Sequence, residues 1–259
     1  LGDLIMYRRP FQNNRRSNFS RNDYGYKKED SKLHDHSICV CSHDHSIKKE
    51  FLCHIPAAIS ILSVSVILVV FLDSIISLLT NNKNLLIYHD LFHIMHYMHV
   101  MCASFVGYIS YLIFNQNRYF IGGLISFFSS MIFCTISDIV MPSIGSFFLA
   151  NKISIHLCFL SLNDSINVSI FALLGIICAY SLLKGEYNKI AETVKLSHRG
   201  HIFFGCMAGL FYILFNNNIL WMQMSGIIMI IIFLSIVLPC TISDIIIPKI
   251  FYKKHLLFR

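Results

Sequence analysis

Four histidines, His89, His93, His96 and His99, lie in the stretch YHDLFHIMHYMHVMC (88–102), and at 100° per residue all four fall on one stripe of an α-helix. Met95, Met98, Met101 and Cys102 surround that stripe. Imidazoles three or four positions apart can share one ion, as they do in helical zinc sites. A second constellation occurs twice: CTISDIVMP runs from Cys134 to Pro142, and CTISDIIIP from Cys240 to Pro248. Cys134 and Asp138, like Cys240 and Asp244, are four apart and share a helix face. An aspartate in an apolar run is expensive, and such residues usually face an ion path or a partner.

The proline stands four positions further on, where its ring clashes with the carbonyl of Asp138 or Asp244. Two readings stay open. Either the freed carbonyl joins thiolate and carboxylate as a third donor, or the prolines end the helices and the aspartates accept hydrogen bonds from neighbours. A third group of ligands lies near the N-terminus, in HDHSICVCSHDHSI: His34, His36, Cys39, Cys41, His43 and His45. The composition reads as metal-binding, but the cysteine spacing is not that of a zinc finger. A flexible collecting segment is expected. Cys, His and Met together favour Cu(I) or Zn(II), so a copper or zinc ion is the expected cargo.

These groups must be positioned by helices. Of 259 residues, 55% are hydrophobic and 14% charged, and the apolar residues come in long unbroken runs. The fold class expected is an all-α, polytopic membrane protein. Hydropathy gives six spans, at 55–79, 85–114, 119–149, 153–183, 201–215 and 219–247. The fifth falls short of the roughly 20 residues that cross a bilayer unless it starts near Ile190. Of the 21 Lys and Arg residues, 19 lie on the side of both termini and only Lys83 and Lys152 on the other. That asymmetry predicts cytoplasmic termini. It also accounts for the +7 net charge without a nucleic-acid partner. The chain opens LGDLIM without an initiator Met and shows no cleavable leader, which suggests a fragment or a processed product. Six of the nine cysteines sit in apolar runs, so no disulfide framework is expected.

The two Cys-Thr-Ile-Ser-Asp motifs belong to a longer correspondence. HYMH (His96 to His99) opens a run ending in LIFNQN, and HRGH (His198 to His201) opens one ending in ILFNNN. The order His-x-x-His, apolar helix, Asn-rich turn, apolar helix and Cys-x-x-x-Asp-x-x-x-Pro therefore occurs twice, as in a duplicated unit. Three spans per unit is an odd number, so the second unit would enter the membrane from the opposite side. The expected organisation is a His/Cys-rich, largely disordered tail (1–54), two inverted three-helix repeats (55–150 and 151–248), and a basic C-terminal tail (249–259). Inverted repeats are common in secondary transporters, with substrate sites where the repeats meet. With the His pairs at helix starts and the aspartates at helix ends, one cluster is expected at each membrane face. His96, His99 and Asp138 would form the outer one, and His198, His201 and Asp244 the cytoplasmic one. A transported cation would pass near Asp73 and Asp164 between them.

The stretch 53–133 resembles the Ctr copper-transporter family in its His-rich N-terminal segment, in Asp73 near the end of the first helix, and in the Asn-containing turn LIFNQN. The resemblance implies a membrane protein that moves copper. Ser110 and Phe114 stand where that family has Met-x-x-x-Met, and no Gly-x-x-x-Gly occurs in the third helix. No site residue is carried over from it.

The function expected is transport of a transition-metal cation, with the bilayer and the ion as partners and a homo-oligomer possible. A b-type haem electron-transfer protein is the alternative from another class, pairing His99 with His156 and His201 with His54. A structural membrane subunit is a third reading. A di-metal desaturase needs its His boxes on one face, and ATP-driven pumping needs a phosphate loop that is absent. No enzyme activity is expected.

Overall fold

Serine and threonine set the character of the helices. Ser60, Ser63, Ser65, Ser74, Thr135, Ser169, Ser235 and Thr241 each donate their hydroxyl to the backbone carbonyl four residues earlier, at 2.6 to 2.9 Å. A hydroxyl without water satisfies itself on its own helix in this way. The computed structural model describes residues 47–80, 85–114, 118–150, 161–183, 187–216 and 225–247. Among them every regular element is helical. The chain divides into two units, Leu1–Cys53 and His54–Arg259, and the second holds the helical bundle.

The elements are α1 (Ile47–Thr80), α2 (Leu85–Phe114), α3 (Tyr119–Thr135), a first π turn (Ile136–Val140), α4 (Met141–Ala150), α5 (Leu162–Leu183), α6 (Tyr187–Asn216), α7 (Ser225–Thr241) and a second π turn (Ile242–Ile246). α3, the first π turn and α4 form one continuous rod, so the described residues make six rods. Among the described residues, three stretches are long and apolar enough to cross a membrane: Ile55–Leu79, Tyr119–Phe148 and Leu162–Leu182. α1 and α5 are peripheral, exposing Val64, Ile67, Phe71, Leu173 and Ile177. Such a surface fits a hydrocarbon solvent and not water. The chain is a membrane protein built of helices.

At the centre stand α2 and α6, the most extensively packed pair; α2 also touches α3 and α5. The two run antiparallel. Tyr88 stacks on Phe211, His89 meets Phe215, Phe92 meets Tyr212, and His99 meets His201. Each helix has 30 residues, about 45 Å at 1.5 Å per residue. The fifth apolar run is thus the second half of a much longer helix than hydropathy shows.

Both copies of the repeated pentapeptide end in a π turn. The Met141 N–H donates to the Ile136 carbonyl, and the Ile247 N–H to that of Ile242, each five residues back. One extra residue is accommodated, as in the π-bulges that mark functional sites. Pro142, which would clash with the Asp138 carbonyl in a regular α-helix, follows directly and does not end the rod. The packing is reciprocal. The first π turn lies on α6 and α7, and the second on α2 and α3. Ser129 on α3 and Ser243 in the second π turn share a hydrogen bond of 3.1 Å.

Candidate metal centre

Asp138 is fully buried at the first π turn, where an unpaired carboxylate would cost several kcal/mol. Three donors meet it. His96 Nδ1 lies 2.8 Å from Oδ2, His99 Nδ1 2.7 Å from Oδ2 and 2.9 Å from Oδ1, and the Ser137 hydroxyl donates to Oδ1 at 2.6 Å. The carboxylate fixes the proton on Nδ1 of both rings. In the neutral form of each ring Nε2 is then the lone-pair nitrogen.

The Nε2 of His99 faces Cys240, 3.8 Å from its Sγ. His201 on α6 lies alongside, with ring centroids 4.4 Å apart. One ligand atom from each of His99, His201 and Cys240 falls within 4.8 Å of the others, and all three residues are buried. A tetrahedral zinc with nitrogens at about 2.0 Å and sulfur at about 2.3 Å sets its N and S ligands about 3.5 Å apart. The Cys240–His99 separation is already close to that, and a contraction of about an ångström would complete the group. Asp138 then stands behind His99 as the carboxylate that orients a metal-binding imidazole. The structure therefore presents a pocket of two nitrogens and a sulfur that could hold a metal ion.

The meeting departs from the expectation of one cluster at each face. His99 is the fifteenth residue of α2 and His201 the fifteenth of α6, so both sit at helix midpoints and not at helix starts. Antiparallel helices that cross at their centres bring centrally placed motifs together. Cys240 of the second pentapeptide consequently joins His99 of the first His pair. His198, one turn before His201, is only partly buried, its ring 6.2 Å from that of His201. Cys134 is buried one turn before Asp138, outside the converging group. The Nε2 of His96 is buried with no hydrogen-bond partner among the described residues.

Further along the same stripe, His89 and His93 approach each other at 3.1 Å through their Nε2 atoms. Tyr97 donates to Asp164 at 3.1 Å, and Tyr88 donates to Asp73, tying α2 to α5 and α1. Asp244 falls in the second π turn and His54, one of the expected haem partners, in α1, but nothing is described of either side chain; Pro248, the tail ligands His34, His36, Cys39, Cys41, His43 and His45, and the other expected haem partner His156 lie outside the described residues.

Gly205 is a position beside the candidate site that the ligand patterns do not announce. A β-carbon there would stand 2.8 Å from Cε1 and 3.0 Å from Nε2 of His99, so only glycine lets the ring lie against α6. The signal was present as Gly205-Cys-Met-Ala-Gly209, the small-x-x-x-small pattern of closely approaching membrane helices. No family model, no curated protein and no solved structure matches the chain.

Proposed function

We propose that the chain is an integral membrane transporter of a transition-metal cation, copper or zinc, which binds at His99, His201 and Cys240. The observation that carries this reading is the convergence of two imidazoles and a thiol from α2, α6 and α7 on one buried point midway along the two central helices. Structural zinc is held by four protein ligands, whereas three ligands leave a position open for exchange. A cargo has to leave, and an incomplete shell suits it.

The antiparallel run of α2 against α6 and the reciprocal packing of the two π turns support an inverted repeat of six spans. In that architecture substrate sites lie near the bilayer midplane where the repeats meet. The distribution of Lys and Arg supports cytoplasmic termini. On this reading the His/Cys tract of the N-terminal tail collects metal on that side. Asp138 holds His99 in the ligating tautomer, Gly205 leaves room for its ring, and the first π turn sets Asp138 on an inward face.

Metal analysis of the purified protein, followed by flux into proteoliposomes, tests the reading. The wild-type chain should bind and move zinc or copper, and Cys240→Ser, His201→Ala, Asp138→Asn and Asp244→Asn should each impair it. Equal metal content and flux in all four variants would reject these residues as the site, and a wild-type chain that neither binds nor moves metal would leave a structural membrane subunit as the better description.

A further inference from the structure

We infer that His89 and His93 form a second, separate cation site near the N-terminal end of α2, and that it takes a borderline divalent ion of the zinc class and not Cu(I). As a staging post ahead of the buried centre it rests on the transport reading; as a binding site it does not. Its geometry is self-contained. The two Nε2 atoms share a hydrogen bond of 3.1 Å, and an aspartate stands on the Nδ1 side of each ring. His89 Nδ1 lies 3.4 Å from Asp90 Oδ1. His93 Nδ1 lies 3.9 Å from Asp164 Oδ1, with the Tyr97 hydroxyl between them, 3.4 Å from His93 Nδ1 and donating to Asp164 at 3.1 Å.

That arrangement repeats the logic of the buried centre, where Asp138 occupies Nδ1 of His99 and turns Nε2 toward the ligand position. Asp90 beside Nδ1 of His89, and the Tyr97 hydroxyl that links Nδ1 of His93 to Asp164, favour a proton on each Nδ1, and a cation would replace the proton that the two Nε2 atoms share in their 3.1 Å hydrogen bond. The separation also selects the ion. With metal–nitrogen bonds of about 2.0 Å, nitrogens at this distance subtend an angle of about 100°, near that of a tetrahedron. A linear two-coordinate Cu(I) would need them about 4 Å apart at the same bond length. The side chains grade from 30% exposed at His89 to 11% at His93, while His96 and His99 are fully buried, so the stripe leads from an accessible end to the enclosed centre. The open positions of an ion bound here would be filled by water. Deeper in, the Asp138 carboxylate and a Cys240 thiolate together balance two positive charges, which suits the same class of ion.

The test is histidine modification of the purified full chain in lipid nanodiscs by diethyl pyrocarbonate, read residue by residue by mass spectrometry, with Zn(II) alone as the probe. Zn(II) should suppress labelling of His89 and His93 together, while Cu(I) at the same free concentration should not. Suppression should survive in His201→Ala/Cys240→Ser, which removes the buried ligands. Asp164→Asn should raise the half-protecting Zn(II) concentration by ten- to a hundredfold. Labelling indifferent to Zn(II), equal suppression by Cu(I), or suppression lost with the buried ligands would each overturn the inference. Protection that persists in a wild-type chain that moves no metal would overturn the transport reading and leave this site standing.

Discussion

The ring of His99 rests on the backbone of Gly205, close enough that a β-carbon at that position would stand 3.0 Å from Nε2. Gly205 therefore sets how near α2 comes to α6, and with it whether His99 and His201 can reach one ion. Gly205→Ala should lower metal occupancy of the centre and reduce flux while the chain still folds. Gly209→Ala is the control. Its β-carbon would meet chiefly the far end of the Ile232 side chain, at 2.8 Å, which can turn aside. Metal binding by both variants, measured by equilibrium dialysis, should fall only for the first.

Asp138 collects hydrogen bonds from two imidazoles and a hydroxyl, all buried. Asp138→Asn offers one acceptor oxygen and turns an N–H₂ toward a ring that also donates. Metal affinity should drop ten- to a hundredfold, as it does when an outer carboxylate is removed from a metal-binding histidine. Asp138→Ala should in addition destabilise the fold by about 1–3 kcal/mol for each donor stranded without a partner. Affinity and thermal unfolding, measured on both variants, separate the two effects.

The Ser129–Ser243 hydrogen bond joins α3 to the second π turn. Hydrogen bonds between membrane helices contribute about 0.6 kcal/mol on average in double-mutant cycles. A cycle of Ser129→Ala and Ser243→Ala should give a coupling of that order. Strict additivity would mean that the two hydroxyls do not meet in the membrane.

The histidine stripe of α2 is legible from spacing alone, because 3.6-residue periodicity fixes which residues share a face. The duplicated pentapeptide likewise marks Cys240 and Asp138 as special. Spacing does not show that they belong to one site. Lys189, Glu192, Lys195 and Arg199 lower the hydropathy of the first half of α6, so the apolar run begins only at His201 and places its histidines at a membrane face. The prolines point to distorted helix ends; the structure answers with a widened turn that continues through Pro142 into α4. Hydropathy also favours α1 and α5, which face outward, over α2 and α6, whose polar residues are needed inside.

The direct test of the central claim is X-ray absorption at the zinc edge on Zn(II)-loaded protein in which Cys39→Ser and Cys41→Ser have removed the tail thiols. One sulfur at about 2.3 Å together with nitrogens at about 2.0 Å is expected, with the sulfur contribution lost in Cys240→Ser and the nitrogen contribution reduced in His201→Ala. A spectrum unchanged by both substitutions would show that His99, His201 and Cys240 do not hold the ion together.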